Sequence, residues 1–136
     1  DDAPLPYVES ALETAIAYYM LPNIYILNTG KPNHYIAYCF KRHEWRHAFG
    51  IVASTPFVDW NFIKYAAVRG HFTLRVSPKN GKKIRLVKVL KGITEEDVNI
   101  RELRSWVKYE TLAKEEYNKK WLLQISKNGC AVQTFQ

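Results

Sequence analysis

Two histidines and a glutamate stand together at residues 43–47, as His43-Glu44-Trp45-Arg46-His47. If this stretch were helical, residues four apart would share one face, and both imidazoles would reach a single zinc ion. The carboxylate between them would then polarise a metal-bound water for attack on a carbonyl group. His43 and His47 are therefore candidate metal ligands, and Glu44 is a candidate catalytic base.

The five letters match the H-E-x-x-H signature of zinc peptidases. The following residues resemble the start of the longer metzincin pattern, but Ala53 stands where that pattern has its third histidine. The only methionine, Met20, lies upstream, so no Met-turn follows the motif. A third zinc ligand would have to come from elsewhere in the chain, the candidates being Glu95, Glu96, Glu102, His34 and His71.

The flanking residues argue against a buried zinc helix. Runs that favour strands, Tyr35 to Phe40 and Ala48 to Ser54, lie on either side of the motif, so residues 41–47 are predicted to be a connecting loop. Loop histidines would not keep the spacing of a helix, and neighbouring cations repel a dication. We therefore expect no cofactor, with a zinc-dependent peptidase as the alternative.

Basic and aromatic residues alternate in the same stretch. Lys41, Arg42 and Arg46 are interleaved with Trp45, which we expect to be exposed because polar residues flank it. Single-stranded nucleic acid is bound by such surfaces, because bases stack on the rings while phosphates meet the charges.

Charge is concentrated further along the chain. The 136 residues carry 20 Lys and Arg against 13 Asp and Glu, a net charge of +7, and residues 60–94 contain no acid. A ribbon with a cationic face would suit a phosphate backbone. The candidate nucleic-acid contacts are Lys41, Arg42, Trp45, Arg46, Arg69, Arg75, Lys79, Lys82, Lys83, Arg85 and Lys88.

The leading hypothesis is thus a small basic protein that binds nucleic acid, DNA or RNA, with single-stranded nucleic acid and RNA among the ligands considered. A nucleolytic activity would need only a proton donor and acceptor beside the phosphate, and the weak candidates are His43, Glu44, His47 and His71. No phosphate-binding loop, dinucleotide fingerprint or nucleophile elbow is present in the sequence. A non-catalytic interaction module, including a homodimer, is the second alternative.

Several elements are predicted from spacing and turn chemistry. Apolar residues at helical spacing predict a first helix between Pro4 and Pro22, and residues 23–27 and 34–40 predict a hairpin. Residues 48–54 are predicted to form a third strand. Asp59 and Gly70 are typical caps of a short helix between them.

The second half of the chain predicts another hairpin and a helical region. Residues 71–76 and 84–90 flank Asn80-Gly81, the strongest short hairpin signal. Thr94 is predicted to cap a helical region from Glu95 to about Lys127. These elements indicate one α+β domain spanning residues 1–136, with a small mixed or antiparallel sheet, an N-terminal helix, a short inserted helix and one or two C-terminal helices.

The cellular compartment is indicated only by features that the sequence lacks. Cys39 and Cys130 lack metal or redox spacing, and two reduced, buried thiols are expected. Apolar runs are too short for a membrane span, and Asp1-Asp2-Ala3-Pro4 does not resemble a signal peptide. We expect an intracellular protein with no membrane partner, although a mature secreted chain would look the same.

Overall fold

The computed structural model describes residues 2–74, 81–82 and 84–103. The helices and strands of these residues are, in chain order, α1 (Leu5–Tyr19), β1 (Ile24–Asn28), β2 (Tyr35–Cys39), α2 (Trp45–Ser54), α3 (Trp60–Arg69) and β3 (Arg85–Leu90), followed by a 3-10 turn (Ile100–Glu102). An N-terminal helix, an antiparallel sheet and two further helices make an α+β arrangement, as the sequence predicts.

The sheet has the order β2-β1-β3, with both neighbours antiparallel to β1. Residues 24–27 are buried, because helices cover one face of the strand and later segments cover the other. A bulge interrupts the pairing with β3: Ile26 lies opposite Lys88, whereas Leu27 lies opposite Leu86. The skipped residue, Val87, is exposed.

Each face of the sheet has its own apolar core. Ile24, Ile26 and Cys39 point toward the three helices and pack with residues such as Ile16 and Ile51. The opposite face is covered by residues from outside the helices. This second core comprises Tyr25, Leu27, Tyr38, Phe40, Ile84 and Leu103.

The prediction of a third strand at residues 48–54 is wrong, because Trp45–Ser54 forms helix α2. Ala48, Ile51 and Val52 are its buried residues, and their separations of three and four match the period of a helix. A short apolar run satisfies either pattern, so only packing against the sheet decides between them.

The second predicted hairpin lies only partly within the described residues. Its return strand exists as β3, but β3 pairs with β1. Residues 71–74 carry no strand, and residues 75–80 lie outside the described residues. The physical reason is that a strand buried along its length needs backbone partners on both edges, and β3 satisfies the edge of β1 that β2 leaves open.

The predicted helix from Glu95 is also wrong over the residues that can be compared. Residues 95–99 are not helical, and residues 104–127 lie outside the described part of the chain. Thr94 does not cap a helix, since its hydroxyl donates to the carbonyl of Met20 at 2.9 Å. The segment instead crosses the end of the sheet from β3 to β2, where the Asp97 amide donates to the carbonyl of Phe40 at 2.9 Å.

Candidate functional site

The H-E-x-x-H residues straddle the beginning of α2. His43 and Glu44 precede the helix, Glu44 having an extended backbone (φ −59°, ψ 146°), and His47 lies in the first turn. The predicted loop is therefore correct for residues 41–44 and wrong for residues 45–47. The two imidazole rings still meet, edge to face, with centroids 4.9 Å apart and planes inclined by 83°.

The surroundings of His43 favour its neutral form. Partial burial, the adjacent His47 and the charge of Lys41 all lower its pKa, and only Asp97 acts in the opposite direction. A neutral imidazole at physiological pH can accept a proton or bind a metal.

Metal binding would require a third ligand near these rings. Within residues 2–74, 81–82 and 84–103, no three His, Cys, Asp or Glu side chains are grouped so that they could hold a metal ion. The two rings are in contact, but not in the one-turn helical arrangement of a zinc peptidase, because His43 lies before the helix.

The first predicted basic cluster is partly neutralised. The Asp97 carboxylate accepts hydrogen bonds from the Lys41 ammonium at 3.2 Å and from the Arg42 backbone amide at 2.7 Å. The Arg42 amide, followed by Lys41, holds the pKa of Asp97 below its usual range. Because the acid lies 56 residues away in sequence from Lys41, the local charge pattern could not reveal this pairing.

The prediction that Trp45 is exposed is wrong. Its ring is half-buried and lies 5.5 Å from that of Phe49 and 5.3 Å from that of Phe72. Phe62 stacks on the other side of the cluster, 5.2 Å from Phe72. Trp45 therefore holds α2 and α3 together instead of offering a free stacking surface.

The remaining candidate site residues are either exposed or outside the described part of the chain. Those that are described and exposed are Arg42, Arg46, Arg69, His71, Lys82, Arg85 and Lys88. Lys88 lies 3.8 Å from Glu9 across the sheet edge. Arg75, Lys79 and Lys83 lie outside the described residues.

Cys39, as predicted, is buried and makes no disulfide, while Cys130 lies outside the described residues. Burial, with the charge of Glu96, raises the pKa of the Cys39 thiol far above its ordinary value. Burial also raises the pKa of Glu96, whose carboxylate accepts a 3.0 Å hydrogen bond from the Tyr25 hydroxyl. The raised pKa favours the protonated thiol of the buried Cys39 over the nucleophilic thiolate.

Helix α3 presents a surface on which only Arg69 is a contact predicted from the sequence. As predicted, Asp59 caps it by accepting the Asn61 amide at 2.8 Å, and Gly70 ends it in a left-handed conformation (φ 76°). Ile63 and Ala66 are its buried residues, so the opposite side must face solvent.

That side, called here the α3 outer face, consists of Trp60, Lys64, Tyr65, Val68 and Arg69. Trp60 is 69% exposed, Tyr65 56% and Val68 81%. Lys64 follows Trp60 by one turn and Arg69 follows Tyr65 by one turn, so rings and cations lie side by side. The Arg69 guanidinium lies over the Tyr65 ring, 5.6 Å from its centroid.

The α3 outer face is also free of opposing charge within its own helix, because residues 60–69 contain no Asp or Glu. This acid-free stretch is visible in the sequence. The exposure of Trp60 is not, because it depends on which side of α3 packs against α2 and the sheet.

Comparison of the chain with protein-family models, with curated proteins and with solved structures found no match. In the described portion of the chain, none of the helices combines the length and apolar character needed to cross a membrane.

Proposed function

We propose that the protein binds single-stranded nucleic acid through the α3 outer face. One observation carries the proposal: a single helix exposes Trp60 and Tyr65 beside Lys64 and Arg69 and contains no acidic residue. Exposed apolar patches that are rimmed by polar residues often mark interaction sites.

The chemistry favours a single strand over a duplex. Unpaired bases present their flat faces to Trp60 and Tyr65, and stacking of this kind contributes roughly 1–3 kcal/mol per base. Lys64 and Arg69 lie beside the rings, where they can meet the phosphates that flank a stacked base. A helix of ten residues is about 15 Å long, so α3 by itself contacts only a few nucleotides.

Further cations extend the basic character beyond α3. Lys82 and Arg85 are exposed, and Arg85 points outward between the buried Ile84 and the half-buried Leu86. They belong to the predicted contacts and are retained in the proposal as secondary phosphate ligands. Lys41 is not retained, because Asp97 already neutralises it.

The proposal stops at binding. The lowered pKa of His43 favours a neutral imidazole that can accept a proton, but nothing places this ring beside the α3 outer face, so cleavage is not included. The zinc peptidase alternative is not included either, because His43 and Glu44 lie before the helix. A protein partner on α3 would also bury Trp60 and Val68, and the salt dependence below separates it from nucleic acid.

Binding of a fluorescently labelled 20-nucleotide oligothymidylate is expected to weaken steeply with added potassium chloride, because each phosphate contact releases condensed counterions. In the double variant Lys64→Gln/Arg69→Gln, the slope of log K against log salt should fall by about 0.7 for each cation removed. Fluorescence anisotropy at several salt concentrations measures both quantities.

Lys41→Gln is the matched control, since it removes a cation that Asp97 already pairs and should leave the slope nearly unchanged. Absence of binding, or binding that does not depend on salt, would contradict the proposal. A concentration-dependent change in oligomeric state without oligonucleotide binding would assign α3 to a protein interface instead.

A further inference from the structure

A cavity of about 300 Å³ lies between α1, β2 and the residues that connect α2 to α3. Its walls are mainly apolar and include Val8, Leu12 and Ala15 of α1, Ala37 of β2, and Phe62 of α3. The cavity opens to solvent beside the exposed residues Phe57 and Asp59. It matches the lower end of the volumes found for small-molecule sites.

Phe57 lies at this cavity with an unusual backbone. Its φ is 67°, in the left-handed region that a bulky residue seldom adopts, and its side chain is still 49% exposed. Its ring lies 6.2 Å from that of Tyr7, at the beginning of α1. Strained backbone conformations of this kind cluster at binding sites, so Phe57 is a candidate to contact a molecule bound in the cavity.

At the α2–α3 connection, the polar side chains of the cavity offer hydrogen-bond acceptors. The Thr55 hydroxyl already donates its proton to the carbonyl of Ile51 at 2.7 Å, which leaves only its lone pairs. Asp59 also lines the cavity, and one of its carboxylate oxygens accepts the Asn61 amide. A bound molecule would therefore need a donor for these acceptors and an apolar body for the rest.

We propose that this cavity binds a compact aromatic molecule that carries one hydrogen-bond donor, with the ring against Leu12 and Phe62 and the donor directed to Asp59 or Thr55. Phe57 covers the ring from the solvent side. The volume accommodates one or two fused rings. The site does not depend on nucleic-acid binding, and its test is made without any oligonucleotide.

Indole, which has two fused rings and a single N–H donor, is the probe. Saturable binding to the intact chain is expected by calorimetry, and naphthalene, which has similar size but no donor, should bind about tenfold more weakly. Intermolecular NOEs from indole to the methyl groups of Val8 and Leu12 would locate it in the cavity.

Ala37→Leu adds a side chain that fills the cavity and is expected to weaken indole binding about tenfold or more. Ala17→Leu, the same change at an exposed position of α1, is the control and should bind as the unaltered protein does. No saturable binding of indole, NOEs only to residues away from the cavity, or equal affinity in folded Ala37→Leu would overturn the inference. Should Ala37→Leu not fold, the NOEs of the unaltered protein decide by themselves.

Discussion

Replacing Gly92 with alanine is expected to lower the free energy of unfolding by more than about 3 kcal/mol. A Cβ atom at this position would lie 2.0 Å from the carbonyl carbon of Pro22 and 2.4 Å from the backbone nitrogen of Asn23. These are backbone atoms and cannot turn aside as the end of a side chain can.

The neighbouring hydrogen bonds leave the backbone little room to relax. The Gly92 amide donates to the side-chain oxygen of Asn23 at 2.8 Å, and the Ile93 amide donates to the carbonyl of Leu21 at 2.9 Å. Both contacts hold the residues after β3 against those before β1. Alanine would separate the two segments and disturb the pairing of Ile24 with Leu90.

Gly50→Ala is the matched control for this prediction. Gly50 lies inside α2, and a Cβ atom added there would meet no atom within 4 Å outside the backbone of its own helix. Alanine should therefore raise the free energy of unfolding by about 0.5–1 kcal/mol through helix propensity. Urea unfolding followed by circular dichroism compares the two variants. Equal unfolding midpoints would contradict the close approach at Gly92.

The second large effect is expected on nucleic-acid affinity. Trp60→Ala and Tyr65→Ala should each weaken binding of the oligothymidylate by about 5-fold to 150-fold, the equivalent of roughly 1–3 kcal/mol per stacked base. The two side chains are exposed, so the free energy of unfolding should change little. Anisotropy titrations at one fixed salt concentration measure the loss.

Tyr18→Ala supplies the comparison, because Tyr18 is 78% exposed but lies on α1, away from the α3 outer face. It should bind the oligonucleotide as tightly as the unaltered protein. Equal losses for Tyr18→Ala and Trp60→Ala would mean that exposed aromatic residues act non-specifically, against the proposed site.

Elements that are specified by neighbouring residues could be predicted from the sequence. Helix α1 follows from its apolar spacing, the hairpin of β1 and β2 from the turn residues between them, and α3 from Asp59 and Gly70. In each case the signal and the structure that it specifies lie within a few residues of one another.

Elements that depend on contacts between distant residues could not be predicted from the sequence. The run at residues 48–54 suits a strand or a helix, and its place on the sheet makes it α2. The partner of β3 is a strand about 60 residues earlier in the chain, since Leu27 pairs with Leu86. No pattern among neighbouring residues predicts a pairing of two strands so far apart in the chain.

The same distinction applies to the candidate site. Exposure of Arg46, Lys82 and Arg85 follows from their charge and could be predicted. Trp45 and Trp60 could not be told apart, since polar neighbours flank both in sequence. Packing against Phe72 half-buries the first, and the orientation of α3 exposes the second.

Titration of the isotopically labelled protein with oligothymidylate, followed by the amide resonances in NMR spectra, tests the central claim most directly. We predict saturable chemical-shift changes at residues 60–70, together with changes at the indole N–H of Trp60. Saturating oligonucleotide that leaves these resonances unmoved, or that moves only resonances far from α3, would contradict the assignment of the α3 outer face as a nucleic-acid-binding surface.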